Sequence, residues 1–213
     1  MQDKTNIDQY CAEHSLPESE LAQQLTLDTK QTMIGAEMLS GSSVSGLLKF
    51  LIGLIGAGKV LEIGTYTGHG ALSMAEALPN DGQLITLEKS APAVAFAKKY
   101  FDKSPHGHKI TQHKGTALDI LPEIIKTDAG SFDLIFIDAD KQPYPDYVNY
   151  AIELCRPNGL VIVDNALWNG TVLEPDTLQA KAIAKMNQQV LQDPRVENIL
   201  LPISDGLHIM RKL

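Results

Sequence analysis

The 213-residue chain holds only two cysteines, Cys11 and Cys155, and a single tryptophan. Two thiols make no disulfide framework, no Cys-x-x-Cys pair and no zinc ribbon, which fits a reducing compartment. Long apolar runs are missing too. The longest, Leu47 to Ala57, is broken by Lys49, Gly53 and Gly56 and is too short to span a bilayer. The opening MQDKTNIDQYCAEHSL carries mixed charge and no apolar stretch, so no secretory signal is expected. Basic charge is in deficit: 18 Lys and Arg against 26 Asp and Glu leave a formal charge of −8. With no basic run, a nucleic-acid partner is not expected. The expectation is a cytoplasmic globular protein with neither a nucleic-acid nor a membrane partner.

What is present is an alternation. From Lys59 onward, short apolar runs at 60–63, 83–87, 110–114, 132–137, 160–163, 198–202 and 207–211 read as strands. Amphipathic stretches at 71–78, 91–101, 117–125, 144–154 and 178–191 read as helices. Continuously apolar strands separated by helices predict an α/β protein with a mostly parallel sheet covered on both faces. The last two runs lack a helix between them, and Ser204-Asp205-Gly206 carries turn chemistry, so they form an antiparallel C-terminal hairpin. Residues 1–58 read as an N-terminal helical arm over one end of the sheet. Residues 59–213 form the body of what is expected to be one structural domain.

Two glycine-rich loops compete for a ligand. Gly53 to Val60 matches a phosphate loop over seven positions, but Val60 replaces the metal-binding Ser or Thr and the loop precedes the first strand. It reads as a helix end. The second, Glu62-Ile-Gly64-Thr65-Tyr66-Thr67-Gly68-His69-Gly70, follows a strand and opens a helix, where free N–H groups point outward. Its glycine spacing is not the dinucleotide Gly-x-Gly-x-x-Gly, and Glu62 would repel a pyrophosphate while attracting a cation. Glu88 ends the second strand, where an acid can accept both ribose hydroxyls. An adenosine with a cationic tail meets these demands, and S-adenosylmethionine (SAM) is such a molecule. The same features argue against a nicotinamide-dependent oxidoreductase. His69 reads as a solvated residue at a helix start.

Acids end other strands as well. Asp138 follows the fourth run, Asp164 and Asn165 the fifth, and Lys141 comes three residues after Asp138. Neighbouring strands lie ~4.8 Å apart, so these groups can converge. Two carboxylates and an amide oxygen suit a hard cation such as Mg²⁺ or Mn²⁺ rather than zinc. The alternative is that Asp164 and Asn165 cap a turn while Asp138 pairs with Lys141.

The chain resembles the cation-dependent O-methyltransferases, the family of caffeoyl-CoA and catechol O-methyltransferases, and in particular its bacterial small-molecule members. The resemblance rests on MLSG at 38–41, VLEIGTYTG at 60–68, FDLIFIDADK at 132–141, VDNALWNGTV at 163–172 and DPRVENILLPISDGLHIMRK at 193–212. It implies the Rossmann-like class I methyltransferase fold, with seven strands. It implies Asp138, Asp164 and Asn165 as ligands of Mg²⁺ or another divalent cation such as Mn²⁺ or Ca²⁺. It implies Ser40, Glu62, Gly64, Thr65, Gly70, Glu88, Ala117 and Asp140 around the donor, Lys141 and Asp138 as catalytic residues, and Trp168 and Asn169 facing the substrate. Where relatives commonly have Tyr-Ser, this chain has His69-Gly70, so the serine hydroxyl is gone and a backbone N–H at Gly70 can serve in its place. The activity implied is methyl transfer to a catechol or hydroxycinnamate-like acceptor by a homodimer. The first 30 residues offer only Lys4 and Lys30 to grip coenzyme A phosphates, which favours smaller acceptors.

Overall fold

Seven strands form one sheet in the order β3-β2-β1-β4-β5-β7-β6. The computed structural model describes residues 4–39 and 41–213. The strands are β1 (Lys59–Ile63), β2 (Gln83–Glu88), β3 (Ile110–Lys114), β4 (Phe132–Ile137), β5 (Cys155–Val163), β6 (Val196–Leu201) and β7 (Leu207–Lys212). The first five run parallel, and β7 pairs antiparallel with both β5 and β6. This is the expected α/β sheet with its C-terminal hairpin.

The helices are α1 (Lys4–Glu13), α2 (Glu20–Thr32), α3 (Ser42–Ile55), α4 (His69–Ala77), α5 (Ala91–Phe101), α6 (Ala117–Asp128), α7 (Tyr144–Leu154) and α8 (Leu178–Gln192). Side-chain caps start several of them: the Ser19, Ser90 and Thr177 hydroxyls accept from Ala22, Ala93 and Ala180 N–H groups. One face of the sheet packs against α6, α7 and α8 through Leu121, Ile124, Tyr147, Ile152 and Ile183. The other packs against α4 and α5, and here α2 and α3 join the layer. Leu25, Leu48 and Ile52 share one buried cluster with Val60, Leu72 and Phe136. α2 and α3 therefore cover a face of the sheet rather than one end of it.

Two local findings bear on the reading of the sequence. The Gly53 to Val60 segment is the end of α3, with Gly56 as a left-handed cap at φ 61°, followed by β1. Lys59 turns to Asp128 and Ser131, so the phosphate-loop match is a helix terminus. β5 begins at Cys155, five residues before its apolar core, because Cys155 aligns with Phe132 across an irregular register that absorbs Pro157-Asn158-Gly159. Among the described residues no helix is long and apolar enough to cross a membrane.

Candidate active site

The strand order reverses between β1 and β4, and ligands of open α/β sheets bind at the carboxyl ends beside that switch point. There the chain is drawn together. Gly64 N–H donates to Leu87 O at 3.0 Å and Asp138 N–H to Ile63 O at 2.9 Å. Gly64, at φ +101°, must be glycine, since a Cβ would fall 2.1 Å from the Asp138 carbonyl oxygen.

On the β1–β2 side, Glu62 is buried and accepts from the Thr86 hydroxyl at 2.5 Å, while Thr65 shares a short hydrogen bond with Thr86. Burial pushes the Glu62 carboxyl up to about 8, and the charges of Asp138 and Glu88 add to the shift. A cationic group beside it would restore the carboxylate. A Cβ at Gly70 would lie 2.5 Å from Glu62 Oε1, so the absence of a side chain there leaves Glu62 its present position. Glu88 is held by backbone, accepting from Tyr66 N–H and Ser90 N–H at 2.7 Å each. Ala117 begins α6 next to Gly115, whose N–H donates to Glu88 O at 2.9 Å. Asp140 accepts from the Tyr147 hydroxyl at 2.8 Å and pairs with Lys89 at 3.0 Å. Burial opposes its ionisation, but those two partners hold its carboxyl below the usual range.

On the β4–β5 side, Lys141 is the centre. Its ammonium donates to Asp138 Oδ1 at 2.9 Å, to Asn165 Oδ1 at 2.6 Å and to the Tyr144 hydroxyl at 2.6 Å. It lies 5.7 Å from the Trp168 ring centre, and Trp168 is partly buried against the core. Asp164 is buried and accepts from Asn165 N–H at 2.7 Å. Burial and the charge of Asp138 push its carboxyl well above the ordinary range. Burial likewise pushes the enclosed Tyr144 phenol far up, so it stays a neutral partner for Lys141.

The structure thus brings Asp138, Lys141, Asn165 and Trp168 to one point, with Asp164 beside it. The Asp138–Lys141 pair of the alternative reading is present. Among the described residues no three His, Cys, Asp or Glu side chains form a metal cage. The set fits a cation differently, with two carboxylates and an amide oxygen, and two of those oxygens already share one positive charge. Asn169 lies on the Trp168 loop, and its N–H donates to Asp205 Oδ1 at 2.6 Å. Ser40 lies outside the described residues. A cavity of about 440 Å³ between α2 and α5 is lined by Asp28, Met33, Phe96, Lys99 and Tyr100, and none of the strand-end carboxylates borders it.

Sequence reasoning missed several contributors. His69 is buried rather than solvated, with Nε2 2.8 Å from Glu18 Oε1, because α2 and α3 close over the start of α4. Tyr144, Tyr147 and Thr86 were hidden among core positions. Only the spacing of Tyr144, three residues after Lys141 at a helix start, could have flagged one of them.

A sheet of this order with an acid at each of these strand ends defines a class I methyltransferase. The profile of a family described as O-methyltransferase matches residues 12–213. Caffeoyl-CoA O-methyltransferase 2 of Zea mays is 36% identical over 186 residues, covering 83% of this chain and 70% of that protein. Caffeoyl-CoA O-methyltransferase 1 of Arabidopsis thaliana is 33% identical, covering 83% and 72%. Among solved structures, the O-methyltransferase TomG of Streptomyces achromogenes in complex with SAM superposes with a TM-score of 0.90 at 27% identity, covering 100% of this chain and 99% of that one. The O-methyltransferase of Bacillus cereus in complex with S-adenosylhomocysteine (SAH) gives 0.89 at 25%, covering 98% and 97%. The chain belongs to the O-methyltransferase family and is a SAM-dependent O-methyltransferase of the caffeoyl-CoA O-methyltransferase type.

Proposed function

We propose that this enzyme transfers the SAM methyl group to one hydroxyl of a catechol or hydroxycinnamate-like acceptor, with a divalent cation bound by Asp138, Asp164 and Asn165. The observation that carries the reading is the seat of Lys141. Its ammonium bridges Asp138 and Asn165 beside the Trp168 ring, so a cation position is already marked next to a flat wall for an aromatic acceptor. Asp164 adds a buried carboxyl whose ionisation a nearby divalent charge would restore. Mg²⁺ suits this oxygen set, with Mn²⁺ and Ca²⁺ as alternatives.

A bound cation supplies charge that lowers the acceptor hydroxyl's pKa. The remaining work falls to the chain. Lys141, whose nitrogen lies between Asp138 and Asn165, is the group assigned to accept that hydroxyl's proton. Tyr144 and Asp138 fix the Lys141 nitrogen, and Trp168 and Asn169 align the ring. On the donor side, Glu62 compensates the amino group, Gly64, Thr65 and the Gly70 N–H border the methionine end, and Ser40 helps to close it. Glu88 holds the ribose, Ala117 borders the adenine, and Asp140 is fixed by Tyr147 and Lys89. Much of the rate comes from alignment of oxygen, methyl and sulfur, which can contribute on the order of 7–11 kcal/mol. The working form is a cytoplasmic homodimer.

The test is methyl transfer from labelled SAM to simple catechols and caffeic acid, with Mg²⁺ and with EDTA. The expected result is transfer with Mg²⁺ that EDTA abolishes and Mg²⁺ restores. Transfer unaffected by EDTA would overturn the cation, and no transfer despite SAH binding would overturn the acceptor class.

A further inference from the structure

The turn that closes the β6–β7 hairpin does more than reverse the chain: it grips the loop after β5. Ala166 N–H donates to Gly206 O and Leu167 N–H to Asp205 O, both at 2.9 Å. The Asp205 carboxylate then divides its two oxygens. Oδ1 accepts from Asn169 N–H at 2.6 Å, and Oδ2 accepts from Asn165 Nδ2 at 3.4 Å. Gly206, at φ +91°, permits this approach, since a Cβ there would lie 2.4 Å from Leu167 Cγ. The gripped loop needs such support. Asn165, Trp168 and Asn169 have φ of 57°, 46° and 53°, in the left-handed region that residues other than glycine rarely adopt.

We propose that Asp205 is a positioning residue of this enzyme, acting through Asn165 on the cation and through Asn169 on the acceptor wall. An amide can present either end to a cation, and only its hydrogen bonds decide which. With Nδ2 turned to the Asp205 carboxylate, Asn165 presents Oδ1 to the position where the Lys141 ammonium now sits, 2.6 Å away. The flipped amide would aim N–H donors at a cation and its oxygen at a carboxylate, both unfavourable. The second oxygen of Asp205 pins the Asn169 backbone, and with it the left-handed turn that carries Trp168. The inference rests on the cation-dependent reading above.

Two substitutions separate the roles. In Asp205→Asn, one oxygen remains for the Asn169 N–H, but an NH₂ faces the Asn165 amide. In Asp205→Ala, both contacts are lost. Mn²⁺ binding to the full-length protein without acceptor, read as free Mn²⁺ by electron paramagnetic resonance, should weaken about 10- to 100-fold in both, the usual loss when the partner of a metal ligand is removed. SAH affinity by calorimetry should stay within twofold of the parent, and the acceptor KM should rise in Asp205→Ala but not in Asp205→Asn. Mn²⁺ binding within twofold of the parent in both variants would overturn the role of Asp205 and leave the cation reading standing. A parent that binds no Mn²⁺ would overturn both. If Asp205→Ala does not fold, Asp205→Asn carries the test, and equal losses of Mn²⁺ and SAH binding there would mark general damage and overturn the proposal.

Discussion

Lys141 is held by three oxygen acceptors, and two of them, Asp138 and Asn165, have a further task as cation ligands in the proposed reaction. This separates two kinds of substitution. Asp138→Ala removes a cation ligand but leaves Glu62 and Glu88 on the other side of the switch point, so SAH binding by calorimetry should survive within a few fold while cation-dependent turnover falls below detection. Lys141→Ala leaves the oxygen ligands in place and removes the proton acceptor, so kcat should drop about 10²- to 10⁴-fold with KM little changed in steady-state kinetics. Glu88, Asp138 and Asp164 could be read from the sequence because each directly follows an apolar run, and a parallel strand delivers its next residue to the ligand edge. The partners of those acids could not. Asp205 meets Asn169 and Asn165 only through the fold, and Glu18 reaches His69 only because α2 and α3 close over α4. A lone Asp in a Ser-Asp-Gly triplet has turn chemistry as its sufficient local explanation.

At the scale of elements, strands were legible wherever both faces are buried, as in β1 and β4, since their apolar runs are nearly continuous. β5 was shortened because Pro157-Asn158-Gly159 is turn chemistry by composition, yet pairing with β4 carries the backbone through it. The hairpin also has a polar interior. His208 of β7 is buried, with Nδ1 2.9 Å from Asn187 Oδ1 of α8 and Nε2 3.1 Å from Asn198 Oδ1 of β6. Asn187 Nδ2 in turn donates to Ala166 O at 2.8 Å. That donor turns the Asn187 amide oxygen towards the ring. Burial pushes the ring down to about 4. The unfolded chain takes up this proton below about 6.5 and the folded chain only near 4, so His208 costs stability as pH falls through that window. Glu62 slopes the other way, because its raised carboxyl favours the folded state at low pH and loses that advantage as pH rises towards 8. The two effects separate by comparison. Between pH 7 and 5, His208→Gln should recover about 2 kcal/mol relative to the parent in urea unfolding. A constant difference between the two proteins would remove His208 from the account of acid stability.

For the whole molecule, the two buried clusters fill both faces of the sheet, yet α3 remains apolar beyond what it buries. Phe50 and Leu54 stand 66% and 68% exposed on one side of the helix, and nothing lies within 4 Å of a Cβ built at Gly46 or Gly53. An apolar face left exposed on a helix marks an interaction surface, and small residues allow a second backbone to come close. This face is the proposed seat of the second copy in the homodimer. Light scattering should report a dimer for the parent and a monomer for the double substitution Phe50→Glu with Leu54→Glu; a monomeric parent would refute it. This surface was not legible as such, because an apolar helix pattern looks the same whether its outer side meets a core or another molecule.

The sheet order has a consequence for how the protein is made. β7 is the last strand in chain order, yet it lies between β5 and β6. As the chain leaves the ribosome, β6 emerges with no edge to join, because the strand that ties it to β5 has not been translated. The Asp205 turn reaches the β5 loop only with that last segment. The Asp138, Lys141 and Asn165 side of the site is therefore completed only after β7 is made, and a stop between Leu201 and Leu207 would leave β6 without the strand that ties it to β5 and the Asp205 turn without its anchor.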